Sequence, residues 1–174
     1  SGGVIEDIPK ALSTLVDTEL VSVHQSSTYA ATSLGCAVAG SGLTISQATY
    51  LIRSLSSYQP ASTVEWLALA ISIPDWRLPT ALLTQFEYRD RIPLKSAYRR
   101  YEDMFPGIER MIPALRAGRP DRRTLSLLKC LLLLDDWRAG LPIPKLEERY
   151  GIHHGQIISL GETIGHLVRA IAMI

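Results

Sequence analysis

Ile5, Ile8, Leu12, Leu15 and Val16 recur at three- and four-residue intervals, so residues 4–18 read as an amphipathic helix, with Pro9 tolerable only near its first turns. The pattern then changes period. Leu20-Val21-Ser22-Val23-His24 and Thr28-Tyr29-Ala30-Ala31-Thr32 are β-prone and flank a polar Gln25-Ser26-Ser27 turn, which predicts a hairpin. Thr32-Ser33-Leu34-Gly35 leads into a brief helix ending around Gly40-Ser41-Gly42.

From Leu43 onward every periodic segment reads as helical: Ser46–Ser57, Thr63–Ile73, Thr80–Arg89, Leu94–Asp103, Gly107–Ala117, Arg122–Ala139, Lys145–Tyr150 and Gly155–Ile174. Proline and glycine separate them, at Pro60, Pro74, Pro79, Pro93, Pro106, Pro120 and Gly140 among others. The fold class is therefore mainly α: a helix plus β-hairpin wing, as in the second half of a winged helix, and then a multi-helix bundle ending in a long helix. Residues 1–3 look like a cloning scar, residues 4–42 form the winged-helix part, and residues 43–174 the bundle. Val4 beginning inside a helical pattern suggests that a further N-terminal part belongs to the parent protein.

Composition adds a compact fold: 47% of the 174 residues are apolar. The net charge of +1 demands no polyanionic partner, so any nucleic-acid argument rests on where the charges lie. Between Arg89 and Arg123 stand ten basic and five acidic side chains, and Arg99, Arg100, Arg119, Arg122 and Arg123 are the candidates for a basic face. Arginine outnumbers lysine, which suits phosphate contacts and equally suits surface ion pairs. Cys36 and Cys130 lack a partner motif and read as two buried thiols in a reducing interior. The apolar run around Leu131–Leu134 is too short to span a bilayer, which points to a soluble protein of the cytoplasm or nucleus with no membrane partner.

No lysine follows a glycine, so no P-loop is present. Leu131-Leu132-Leu133-Leu134-Asp135-Asp136 imitates a strand ending in a Mg²⁺-binding acidic pair, but Leu127, Leu128 and Trp137 continue the helical spacing and put both acids on an exposed helix side. His153-His154 lacks the companions that complete a zinc shell. Trp66, Trp76 and Trp137 accompany apolar helices and read as core. No nucleophile-elbow or metalloprotease motif occurs, so this chain is read as catalysing nothing and holding no cofactor.

The final helix is the most informative segment. Ile157, Leu160, Ile164, Leu167, Val168 and Ile171 form an apolar face, while Ser159, Glu162, His166, Arg169 and Met173 recur on another. Gly161 and Gly165 each cost about 1 kcal/mol relative to alanine in a helix interior, which implies a close approach by another helix or by a nucleic-acid strand. His166 could stack a base, and Arg169 or Ser159 could meet phosphate or sugar.

Three segments in order resemble the C-terminal accessory domains of HelQ/Hjm-type helicases, a Ski-like branch of superfamily two. Leu12–Leu15 and Tyr29–Ala39, with Thr32-Ser33-Leu34-Gly35 and Val38, resemble that family's last winged-helix helix, wing and T-x-L-G-x-x-V segment. Leu67–Trp76 is similar to a helix ending in a Pro-Asp turn, and Leu133–Trp137 through Arg149-Tyr150-Gly151-Ile152 to Glu162-Thr163 resembles the helices leading into the family's "ratchet" helix. The resemblance implies that the last helix runs along a single strand leaving two upstream RecA-like motors, which supply ATP and Mg²⁺ chemistry. At the family's basic and tryptophan contact positions this chain has Ser159 and His166.

The expectation is thus a nucleic-acid-binding helicase accessory module that guides single-stranded DNA, or less readily RNA. A protein-interaction module without strand contact is the alternative. A duplex reader using residues 4–18 as recognition helix is disfavoured by Glu6, Asp7, Asp17 and Glu19.

Overall fold

The computed structural model describes residues 3–24, 28–75 and 122–174, with side chains from Ile8 onward. The predicted helices at 80–89, 94–103 and 107–117 lie outside the described residues, as do Trp76, Arg99, Arg100 and Arg119. The protein is mainly helical, with one small antiparallel hairpin after the first helix.

Helix α1 spans Gly3–Asp17 and runs through Pro9, deeper into the helix than the sequence pattern implied. Strands β1 (Val21–His24) and β2 (Thr28–Ala31) follow, in the register Val21 to Ala31 and Val23 to Tyr29. Helix α2, Ser33–Ser41, starts where the Thr32 hydroxyl accepts the Gly35 N–H at 2.9 Å, and stops at Gly42, whose φ of 73° suits a residue without Cβ.

Each of the next two helices opens on a capping box. Thr44 and Gln47 exchange hydrogen bonds at the start of α3 (Ile45–Ser57), and Ser62 and Glu65 do so at the start of α4 (Thr63–Ser72). In the second box the Glu65 side chain is buried, and its carboxylate is satisfied by the N–H groups of Ser62 and Ala61. Gln47 reaches on to donate to the Pro74 carbonyl at 3.2 Å, which ties the Pro74-Asp75 turn to the start of α3.

Helix α5, Arg122–Arg138, is central: every residue from Leu127 through Leu134 is buried. A helical segment buried on all sides, Lys129 included, needs neighbours on all sides, and α4 and α6 (Ile143–Tyr150) pack against it. Because Leu131–Asp136 is helical, it forms no metal-binding strand of the kind it imitates. The acids are not on an exposed side either. Asp135 and Asp136 keep only 15% of their side-chain surface, because each is covered by an ion pair, with Arg138 at 2.8 Å and with Arg149 at 2.7 Å.

Helix α7, His154–Met173, lies on α2, α4 and α6. Its Ile157, Leu160, Ile164, Leu167 and Ile171 join Leu69, Ile71, Leu128, Leu131 and Leu146 in the main core. Val168, expected among them, is 38% exposed, and Ala170 is buried instead. A smaller cluster of Leu20, Val38 and Ala48, with Leu15, Ile52 and Ile174 around it, joins the hairpin region to α3 and to the end of the chain. Cys130 is buried as expected, and burial pushes its thiol up. Cys36 is exposed, because the buried side of the short α2 is taken by Val38 and Ser41.

No helix among the described residues is long and apolar enough to cross a membrane.

Candidate nucleic-acid interface

The polar stripe of α7 is an outer surface. Ser159, Glu162, His166, Arg169 and Met173 are all exposed, whereas Ile157, Leu160, Ile164, Leu167 and Ile171 on the other side of the same helix are buried. The 3.6-residue period alone produces this division, since positions three and four apart share a face. None of the Ser159, Glu162, His166 and Arg169 side chains has an intramolecular hydrogen bond or ion pair with a described residue. The Thr163 hydroxyl, on the flank, is instead spent on the Ser159 carbonyl at 2.9 Å.

Two anchors fix the ridge in place. At its N-terminal end, the Gln156 side chain accepts the His153 N–H at 3.2 Å, and Glu147 of α6 accepts the His154 N–H at 2.6 Å. Toward its C-terminal end the stripe runs beside α2: a Cβ built on Gly42 would stand 3.8 Å from the His166 ring, and one on Gly40 would stand 3.2 Å from Cε of Met173. His166 therefore sits at the border between α7 and the end of α2, with one side of its ring toward solvent.

The two glycines of α7 differ in what surrounds them. A Cβ on Gly161 would come within 2.5 Å of Cζ3 of Trp137, so the α5 tryptophan uses the missing side chain to approach. At Gly165 the nearest atom would be Nη1 of Arg169, at 4.0 Å, on the same helix. Close packing by a neighbour accounts for the first glycine, whereas at the second no described atom would come nearer than 4.0 Å.

The basic candidates do not all converge. Arg122 and Arg123 are exposed at the N-terminus of α5, whereas Trp137, which meets α7, is near the other end of that helix, roughly 20 Å away at 1.5 Å per residue. On the ridge itself Glu162 and Arg169 supply one charge of each sign. Its chemistry is that of an aromatic ring, a hydroxyl and a guanidinium, more than of a strongly basic track.

Near the ridge, Asp136 binds two groups of α6, accepting from Arg149 at 2.7 Å and from the Tyr150 hydroxyl at 2.5 Å. The hydrogen bond that Arg149 donates to Asp136, and then the carboxylate's charge, hold the guanidinium above its ordinary pKa. This cluster joins α5 to α6 and is a structural fastening. Among the described residues no group of three His, Cys, Asp or Glu side chains is placed to hold a metal ion.

Sequence reasoning missed a cleft of about 1170 Å³ between α1 and α3. On α3 it is lined by Thr49, Tyr50, Arg53 and Ser54, which share one face opposite the buried Ala48 and Leu51 and by composition read as an ordinary solvated surface.

Neither a protein-family model nor a curated protein matches the chain.

Proposed function

We propose that the chain is a nucleic-acid-binding accessory region of a HelQ/Hjm-type superfamily-two helicase, in which α7 guides a single strand as it leaves the motor domains. The observation that carries this reading is the exposed, unpartnered stripe Ser159, Glu162, His166 and Arg169 on a helix whose other side is buried. A rigid helix with a free aromatic and hydrogen-bonding edge is suited to sequence-tolerant contact with an unstacked base and its sugar-phosphate. The three segments that resemble that family supply the helicase context. In that context two RecA-like domains of the parent hydrolyse ATP with Mg²⁺, and this chain catalyses nothing. DNA is favoured over RNA as the strand, and a nuclear or nucleoid location follows.

The test is fluorescence anisotropy of labelled oligonucleotides at low and raised salt. Single strands are expected to bind more tightly than duplex, with affinity falling as salt rises through release of counterions. His166→Ala should weaken binding about tenfold, the loss of one stacked base. Undetectable affinity, or affinity indifferent to both salt and His166, overturns the reading.

A second reading is a protein-interaction module, favoured by the apolar groove of about 230 Å³ lined by Trp66, Val168, Ile171 and Ala172. It predicts a partner whose binding is lost in Val168→Asp while no strand is bound at all.

A further inference from the structure

We propose that the cleft between α1 and α3 binds a nucleotide unit, with the ring of Tyr50 against the base, Arg53 on the phosphate, and hydroxyls and a carboxylate around the sugar. The cleft holds about 1170 Å³, ample for one nucleotide. Thr49, Tyr50, Arg53 and Ser54 line one wall, and Thr14 and Asp17 line the other.

Four polar side chains of the α3 wall have no hydrogen-bonding partner among the described residues. Other hydroxyls of these helices are spent on the preceding turn, two of them in the cleft lining itself: Ser57 donates to the Arg53 carbonyl at 2.9 Å and Thr14 to that of Lys10 at 3.0 Å, as Ser56 outside it does to that of Ile52 at 2.8 Å. The side chains of Thr49, Tyr50, Arg53 and Ser54 make no hydrogen bond or ion pair with a described residue. Three of them, Thr49, Tyr50 and Ser54, are half-buried, where contact with water is restricted.

The chemistry of the lining selects the ligand. A guanidinium matches phosphate, an aromatic face takes any base, and threonine and serine hydroxyls suit sugar oxygens. Asp17 accepts a hydrogen bond from Ser13 at 3.3 Å and has acceptor capacity left for a sugar hydroxyl. Its charge repels phosphate, so the phosphate belongs on the Arg53 side. A purely anionic ligand would be served poorly by this pair of opposite charges, and a purely apolar one would leave both unused.

The nucleotide can come from a strand or be free in solution. For the strand source this inference rests on the single-strand reading of α7, and the experiment separates the two. The whole chain is titrated by ¹H–¹⁵N NMR with adenosine monophosphate, with a ten-residue oligo-dT and with a ten-residue oligo-rU. Both ligand types are expected to move the amides of residues 49–54 and 14–18, and the exposed-site variant Arg53→Gln should weaken both about tenfold. His166→Ala should weaken only the oligonucleotides. Oligonucleotides that move α7 and leave α3 unmoved overturn the cleft and spare the ridge. Adenosine monophosphate in the cleft with no strand binding keeps the site for free nucleotides and overturns the guiding role. Shifts at α3 that Arg53→Gln leaves unchanged also overturn the proposal.

Discussion

The six-membered ring of Trp137 lies over Gly161, so closely that a Cβ on the glycine would be 2.5 Å from Cζ3 and 2.7 Å from Cη2. This contact fixes α7 against the end of α5, and it makes the two glycines of α7 testable against each other. Alanine gains about 1 kcal/mol over glycine in a helix interior. At Gly161 that gain is outweighed by overpacking of about 1–3 kcal/mol, because the ring is itself packed against the core. Gly161→Ala should therefore lower stability, and Gly165→Ala, which meets no clash with a described residue, should raise it by about 1 kcal/mol in urea unfolding. If Gly165 is small so that a strand can approach, the stabilised variant will bind oligonucleotides more weakly. Unchanged binding would leave Gly165 without a role in strand contact.

The joint between hairpin and α2 predicts a larger loss. A Cβ on Gly35 would stand 2.0 Å from the Leu20 carbonyl oxygen, and the same oxygen accepts from Thr32 N at 3.0 Å. Backbone blocks the added atom, so no rotamer change relieves it. Gly35→Ala should cost about 3 kcal/mol, and Thr32→Ala, which removes the cap of α2, about 1 kcal/mol. A Gly35→Ala protein as stable as the parent would contradict this packing.

Much of this architecture was legible because local rules and packing agree. Thr32-Ser33-Leu34-Gly35 marks the start of α2, and the switch from helical spacing to β-prone segments at Leu20 marks the hairpin, whereas the close approach of Leu20 to Gly35 shows only in the structure. The exposed ridge of α7 followed from spacing alone. Where expectation failed, tertiary partners decided. Asp135 and Asp136 lost their exposed positions to Arg138 and Arg149, the latter thirteen residues from Asp136, and on α7 Ala170 is buried while Val168 is 38% exposed. The cleft beside α3 was invisible because Thr49, Tyr50, Arg53 and Ser54 have the composition of an ordinary solvated face, and only the position of α1 makes a wall opposite them.

Asp136 offers a separate test of how α6 is held. Tyr150→Phe removes one of the two hydrogen bonds it accepts from α6 and should cost about 1 kcal/mol, whereas Asp136→Ala removes the acceptor for both Tyr150 and Arg149. The double variant should lose less stability than the sum of the two single losses, since the tyrosine hydroxyl has then already lost this partner. Additive losses in thermal unfolding would mean that the two residues act independently.

The two thiols should behave oppositely. Cys36 is exposed and Cys130 is buried, with its thiol pushed up by desolvation. A thiolate is the reactive form, so a disulfide reagent at pH 8 should modify Cys36 alone in the folded protein and both after unfolding in urea. Stability follows from the same asymmetry. Below the ordinary thiol pKa, about 8.5, Cys130 is protonated in both folded and unfolded chains and contributes no pH dependence. Above it the unfolded chain loses the proton while the folded one keeps it, so stability falls as pH rises, by up to about 1.4 kcal/mol per pH unit. The urea midpoint measured from pH 7 to pH 10 should decline less steeply in Cys130→Ala than in the parent. Equal slopes, or modification of both thiols before unfolding, would show that the centre of α5 is open to water.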